Sequence, residues 1–141
     1  MAYYEVLVRD GQTGQYIYDW PKILLDVLNQ PAGVAVLEIL QASQSDVELH
    51  DTVRQKQADV ENASLGAMRE DLGGSVEAAL TIKRLMVWTV RGLTIANRVM
   101  PQGIDTKAPI RLLGELLKIA APHGRIDELE ALMGLTSAQN G

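Results

Sequence analysis

The chain has 141 residues and contains neither cysteine nor phenylalanine. Without cysteine there is no disulfide frame, no thiolate zinc site and no thiol nucleophile, a composition that suits a reducing cytosol. Without phenylalanine, and with only four tyrosines and two tryptophans, the interior must be packed from Leu, Val, Ile, Ala and Met. Long apolar runs are missing too. The most hydrophobic stretch, residues 76–100, holds Lys83, Arg84, Arg91 and Arg98, whereas a membrane span needs about 20 mostly apolar residues. The opening residues, Met1-Ala2-Tyr3-Tyr4-Glu5, carry no basic leader, and Glu5 and Arg9 interrupt the segment, so no signal peptide is expected. Positive charge is in deficit: the formal net charge is −5, which favours solubility and weighs against general nucleic-acid affinity.

Site motifs are equally scarce. There is no Gly-x-x-x-x-Gly-Lys phosphate loop, no Gly-x-Ser-x-Gly elbow and no Gly-x-Gly-x-x-Gly turn. The two histidines, His50 and His123, stand outside any metal-ligand spacing. Carboxylates fall almost entirely in polar segments, where nothing raises a pKa for acid catalysis; Glu38, inside an apolar run, is the exception. The reading is therefore of a chain with no catalytic residues, no metal and no cofactor.

What the sequence does have is an uneven placement of rings. Tyr3, Tyr4, Tyr16, Tyr18 and Trp20 crowd the first twenty residues, and Trp88 alone follows. Tyr and Trp give wide, stiff contact area with a polar handle, the chemistry common at protein interfaces. Residues 3–9 and 15–20 are rich in strand formers and flank Asp10-Gly11-Gln12-Thr13-Gly14, so an antiparallel hairpin is expected over about 3–20. Tyr16, Tyr18 and Trp20 would share one face of its second strand, and Pro21 would end the ladder. These five rings are the expected partner-binding surface; the competing reading is that Tyr16, Tyr18 and Trp20 simply cover the helical core.

Beyond the hairpin the pattern turns helical. Residues 33–40 following Pro31 read either as a third strand or as a buried helix; the spacing of Leu37, Leu40 and Gln41 favours the helix. Ser45 with Glu48 forms a candidate capping box. The segment from there to Leu72 is polar nearly all round, with a narrow seam through Val53, Val60 and Ala67 broken by Lys56, Gln57 and Ser64. Gly73-Gly74 closes it. Ser75 caps a helix to about Met100 that is apolar over most of its circumference, and so reads as the central, buried helix. A further helix spans about 106–121 with Pro109 in its first turn, and a short amphipathic one spans 126–133.

Glu77, Arg84, Arg91 and Arg98 recur every seven residues and line one stripe of the 75–100 helix. Arg84, Arg91 and Arg98 are candidates for ion pairing between helices or subunits, facing the preceding acidic helix, whose Asp46, Glu48, Asp51, Asp59, Glu61, Glu70 and Asp71 offer matching charge; gripping phosphates is the competing use.

Residues 125–137, Arg-Ile-Asp-Glu-Leu-Glu-Ala-Leu-Met-Gly-Leu-Thr-Ser, resemble the second helix and turn of a helix-turn-helix DNA-binding domain. In that family a Leu-Ala-x-x-x-Gly-Leu-Ser type pattern packs the motif ahead of a recognition helix. No recognition helix is expected after residues 138–141, so the resemblance implies at most part of that motif. In general character the chain is similar to small accessory and assembly proteins encoded by bacteriophages, a likeness carried by no motif.

The expected architecture is mainly α: one domain over 1–141, with a hairpin arm (3–20), a helical body (21–136) of four to six helices around 75–100, and a frayed tail (137–141). The expected function is that of a non-catalytic protein–protein interaction or assembly subunit. Such a subunit would form homo-oligomers or bind another protein, without a membrane, and would be cytoplasmic or virion-associated. The alternative is a small nucleic-acid-binding regulator using Arg84, Arg91 and Arg98; a second rival, a small helical enzyme or ligand binder, would need Glu38, His50 and Arg91 to meet in a pocket.

Overall fold

Pro21 has no backbone N–H, so it suits the end of a strand ladder or the first turn of a helix, where that donor would go unmet anyway. In the computed structural model, which describes residues 16–134 (Ala67 by its backbone alone), Pro21 takes the second course. It sits in the first turn of α1, Trp20–Leu28, directly after a 3₁₀ turn at Ile17–Asp19. The expected second strand is thereby overturned, and no strand occurs among the described residues. The first strand and turn of the expected hairpin lie outside them. Alternating rings mimicked a strand, but Ile17 decides the outcome. Its side chain is fully buried, and its N–H donates to the Gly124 carbonyl at 2.7 Å rather than to a neighbouring strand.

Four more α-helices follow: α2 at Pro31–Ala42, α3 at Val47–Leu72, α4 at Val76–Val99 and α5 at Lys107–Ala120. Residues 33–40 are thus helical. The α1–α2 corner is tight because Gly33 lies against the end of α1. A Cβ there would come within 2.6 Å of the Leu28 Cα and 2.7 Å of the Val27 carbonyl oxygen. Asp46, one residue beyond the expected cap, begins α3: its carboxylate accepts from the Leu49 N–H, while the Ser45 hydroxyl donates to the Ala42 carbonyl. Ser75 caps α4 by accepting from the Ala78 N–H at 3.1 Å. The expected helix at 126–133 shrinks to a 3₁₀ turn, Ile126–Leu129, too short for the helix-turn-helix element it resembled. Its Ile126 and Leu129 are buried, and Glu130 accepts the Ser75 N–H at 2.6 Å.

The core forms where α4 meets α1, with α5 covering the other side of α1. Trp20, Leu24, Leu25 and Leu28 of α1 meet Ala78, Ala79, Ile82, Met86 and Val90 of α4, with Ile110 and Leu117 from α5. The expectation that α4 is buried all round needs correction. One face is buried, while Leu85, Trp88 and Val99 stand more than half exposed, because α1 and α3 cover only part of its circumference. No single helix among the described residues is long and apolar enough to cross a membrane; α1 and α2 pass that test only as a pair, and they are bent by 84°.

Gly33→Ala is expected to destabilise the fold by about 2 kcal/mol, measured by urea denaturation, since the added methyl meets backbone that cannot yield. In an open helix the same change would stabilise by up to about 1 kcal/mol.

Candidate functional site

The aromatic residues assigned to a partner surface do not act together. Tyr16 and Tyr18 stack in parallel, with centroids 5.2 Å apart and planes 7° off; Tyr16 is exposed and Lys118 lies 5.5 Å over the Tyr18 ring. Trp20 is 5% exposed and belongs to the core. Tyr3 and Tyr4 lie outside the described residues. The arginine stripe is likewise divided. Arg84 grips Glu61 of α3 through two hydrogen bonds, Nη2 to Oε1 at 2.9 Å and Nε to Oε2 at 3.2 Å. Arg98 pairs with Glu38 of α2 at 2.8 Å. Arg91 is buried, donates to Gln57 Oε1 at 3.3 Å and lies 4.7 Å over the Trp88 ring. Glu38, the carboxylate of the apolar run, therefore serves Arg98. His50 stands beside Asp51 and His123 beside Glu128.

A cavity of about 290 Å³ opens between α1, α3 and α4. From α1 come Trp20, Leu24 and Leu28; from α3, Gln57, Val60, Glu61, Ser64 and Met68; from α4, Lys83, Arg84, Met86, Val87, Trp88 and Arg91. The helix periods explain the convergence. Ser64, Met68 and Leu72 form the buried side of α3 at spacings of four, and towards its N-terminal half this side carries Gln57 and Val60, too slight to fill the space opposite α4. Polar side chains from both helices reach into that gap. Lys83 Nζ donates to the Glu61 carbonyl at 3.2 Å and to the Ser64 hydroxyl.

Burial pulls the Lys83 pKa down to about 8, against the upward pull of Glu61, with Arg91 and Arg84 adding to the fall. Hydrogen bonds from Arg84 hold the Glu61 carboxyl below its ordinary value even though burial opposes this. A serine paired with a lysine is also an arrangement of some acyl-transfer enzymes. Here the Ser64 hydroxyl spends its hydrogen on the Val60 and Glu61 carbonyls. It also sits in mid-helix, where the backbone N–H groups are engaged in the helix and supply no oxyanion donors. The arrangement is a cationic, apolar-floored cavity. Glu61, Ser64 and Lys83 were not singled out together from sequence, although a lysine within an apolar helix and a serine on a helical seam were both visible.

Two outward faces are also apolar. On α4, Leu85, Trp88, Ile95 and Val99 fall at alternating steps of three and four about Gly92; all but the half-buried Ile95 are exposed. On α5, Leu112, Leu116 and Ile119 form a second stripe, with Ile119 77% exposed.

Because the folded pKa of Lys83 lies below its ordinary 10.5, the unfolded chain holds that proton more tightly between pH 8 and 10.5, and stability rises across this window. Below pH 8 the charged amine costs stability. Lys83→Met is therefore expected to stabilise the protein at pH 7 by about 1 kcal/mol in urea denaturation, discounted for partial exposure. That advantage shrinks as pH rises from 8 to 10.5; a constant advantage would show that burial of the amine is not its source.

No family model, curated protein or solved structure matches this chain.

Proposed function

We propose that the chain is a non-catalytic assembly subunit that associates with copies of itself through the outer face of α4. The observation that carries this reading is the exposed seam of Leu85, Trp88, Ile95 and Val99 around Gly92. Apolar residues at a mean spacing of 3.5 are what a helix needs to pack along another helix. Fully burying such side chains contributes about 1.5–3 kcal/mol each, and their half-exposed state leaves about half of that to gain.

Gly92 strengthens the case. A glycine inside a helix costs about 1 kcal/mol relative to alanine, and a Cβ at this position would meet nothing within 4 Å. No contact among the described residues offsets that cost, whereas a second helix crossing at Gly92 would approach the backbone closely. The flank is compatible with self-association. Arg84 and Arg98, which border the seam, are neutralised by Glu61 and Glu38 of their own chain, so two copies meet with little repulsion. The α5 stripe offers a second apolar face, the minimum for assembly beyond a pair. Nucleic-acid binding through Arg84, Arg91 and Arg98 draws little support from a stripe whose outer members are already paired.

The test is absolute mass by light scattering. The native chain is expected above monomer mass, and Leu85→Glu with Val99→Glu, both at exposed positions, to return it to a folded monomer. Gly92→Ala is expected to weaken association while stabilising the isolated subunit by about 0.5–1 kcal/mol. A native chain that scatters as a monomer at all concentrations tested would refute the reading.

A further inference from the structure

We infer that Lys83 is a site of reversible covalent capture: its amine condenses with a small apolar aldehyde held in the cavity between α1, α3 and α4, giving an imine. The inference does not depend on self-association. Three observations carry it: the setting of this lysine among the others, the way its nitrogen is held, and the space in front of it.

The chain has five lysines, Lys22, Lys56, Lys83, Lys107 and Lys118. Lys83 is half-buried, and the other four are exposed. An ammonium group has no lone pair and cannot attack a carbonyl, and desolvation in an apolar pocket is one way a protein makes a lysine nucleophilic. Burial is the main cause that brings Lys83 to a pKa of about 8, with Glu61 of α3 opposing it and Arg91 and Arg84 of its own helix assisting. The α1 residues lining the cavity, Trp20, Leu24 and Leu28, carry no charge. Against a lysine at the ordinary 10.5, this leaves more than about a hundredfold more neutral amine at pH 7. Lower basicity also weakens a nucleophile, as it does for thiols, and returns about half of that gain on a logarithmic scale. An advantage of about tenfold survives.

The nitrogen is also oriented. It donates to the Glu61 carbonyl at 3.2 Å and to the Ser64 hydroxyl, both on α3. A neutral amine has two N–H bonds and one lone pair, so these two acceptors occupy its donors and leave the lone pair directed away from both. The cavity sets the ligand. Its volume is about 290 Å³; at about 30 Å³ for each water-sized group it holds about ten heavy atoms. Leu24, Leu28, Met68 and Met86 line it and are nearly inaccessible to solvent, which suits an alkyl chain of about six carbons. Glu61 is already gripped by Arg84 through both oxygens, so the ligand needs no charge to meet it.

In the reaction the Lys83 nitrogen bonds to the carbonyl carbon as the C=O π pair moves to oxygen. That oxygen takes up the two amine protons and departs as water, leaving the C=N bond. No oxidant or reductant takes part, and an apolar site poor in water favours the loss of water.

The test is to incubate the full chain at pH 7 with hexanal and sodium cyanoborohydride, which traps an imine by delivering hydride to its carbon. Peptide mass spectrometry then locates the hexylated lysines. Lys83 is expected to react at least about tenfold faster than Lys22 or Lys107, at a rate that saturates with hexanal. 1-Hexanol, which fills the same space but cannot condense, is expected to protect Lys83 and no other lysine. The lead of Lys83 is expected to shrink between pH 7 and 10, where an ordinary amine gains its neutral form, and to vanish in urea. A Lys83 rate no higher than those of the exposed lysines, a rate linear in hexanal and untouched by hexanol, a lead constant to pH 10, or one that survives unfolding would each overturn the assignment.

Discussion

The contact between α3 and α4 governs most of what is distinctive in this protein. α3 is a long helix with too few apolar side chains to be held by burial alone: among its described side chains only Ser64, Met68 and Leu72 are buried. Polar bonds complete the attachment, from Lys83 to Ser64 and the Glu61 carbonyl, from Arg84 to Glu61, and from Arg91 to Gln57. Interiors pack densely wherever side chains allow it. Here they do not, and the helices are propped apart by the polar groups that join them. The cavity and its charge have the same cause.

That arrangement also explains the fate of the arginine stripe. A repeat of seven places Arg84, Arg91 and Arg98 on one line, but the neighbours along that line differ. α3 offers Glu61 to the first and Gln57 to the second, and α2 offers Glu38 to the third. Only the middle member is buried, and it turns its guanidinium over Trp88, the residue that also belongs to the outward seam. One ring therefore borders the cavity and the exposed face together.

Much of the helical plan was legible in the sequence because it rests on local chemistry. The Ser75 cap, the Gly73-Gly74 stop, and Pro31 and Pro109 in first turns act within a few residues and appear where the pattern places them. Misreadings arose where distant contacts outvoted a local pattern. Tyr16, Tyr18 and Trp20 alternate like a strand, yet a 3₁₀ turn followed by a helix lets Ile17 and Trp20 both enter the core, an arrangement a pleated strand forbids because its faces alternate. α4 carries apolar residues nearly all round, but nothing local states how many neighbours will surround it. The pocket was the least readable feature, since Lys83 and Ser64 meet only through the packing of two helices.

The bond from the Ile17 N–H to the Gly124 carbonyl joins the two extremities of the described fold, with Tyr16 packed against Gly124. A nascent chain emerges at roughly 5–20 residues per second, so α1 leaves the ribosome long before α5 and the 121–124 corner that receive it. Its apolar side waits until α4, α5 and that corner have been made before its surface is fully covered, so this part of the fold closes only after about a hundred further residues have emerged.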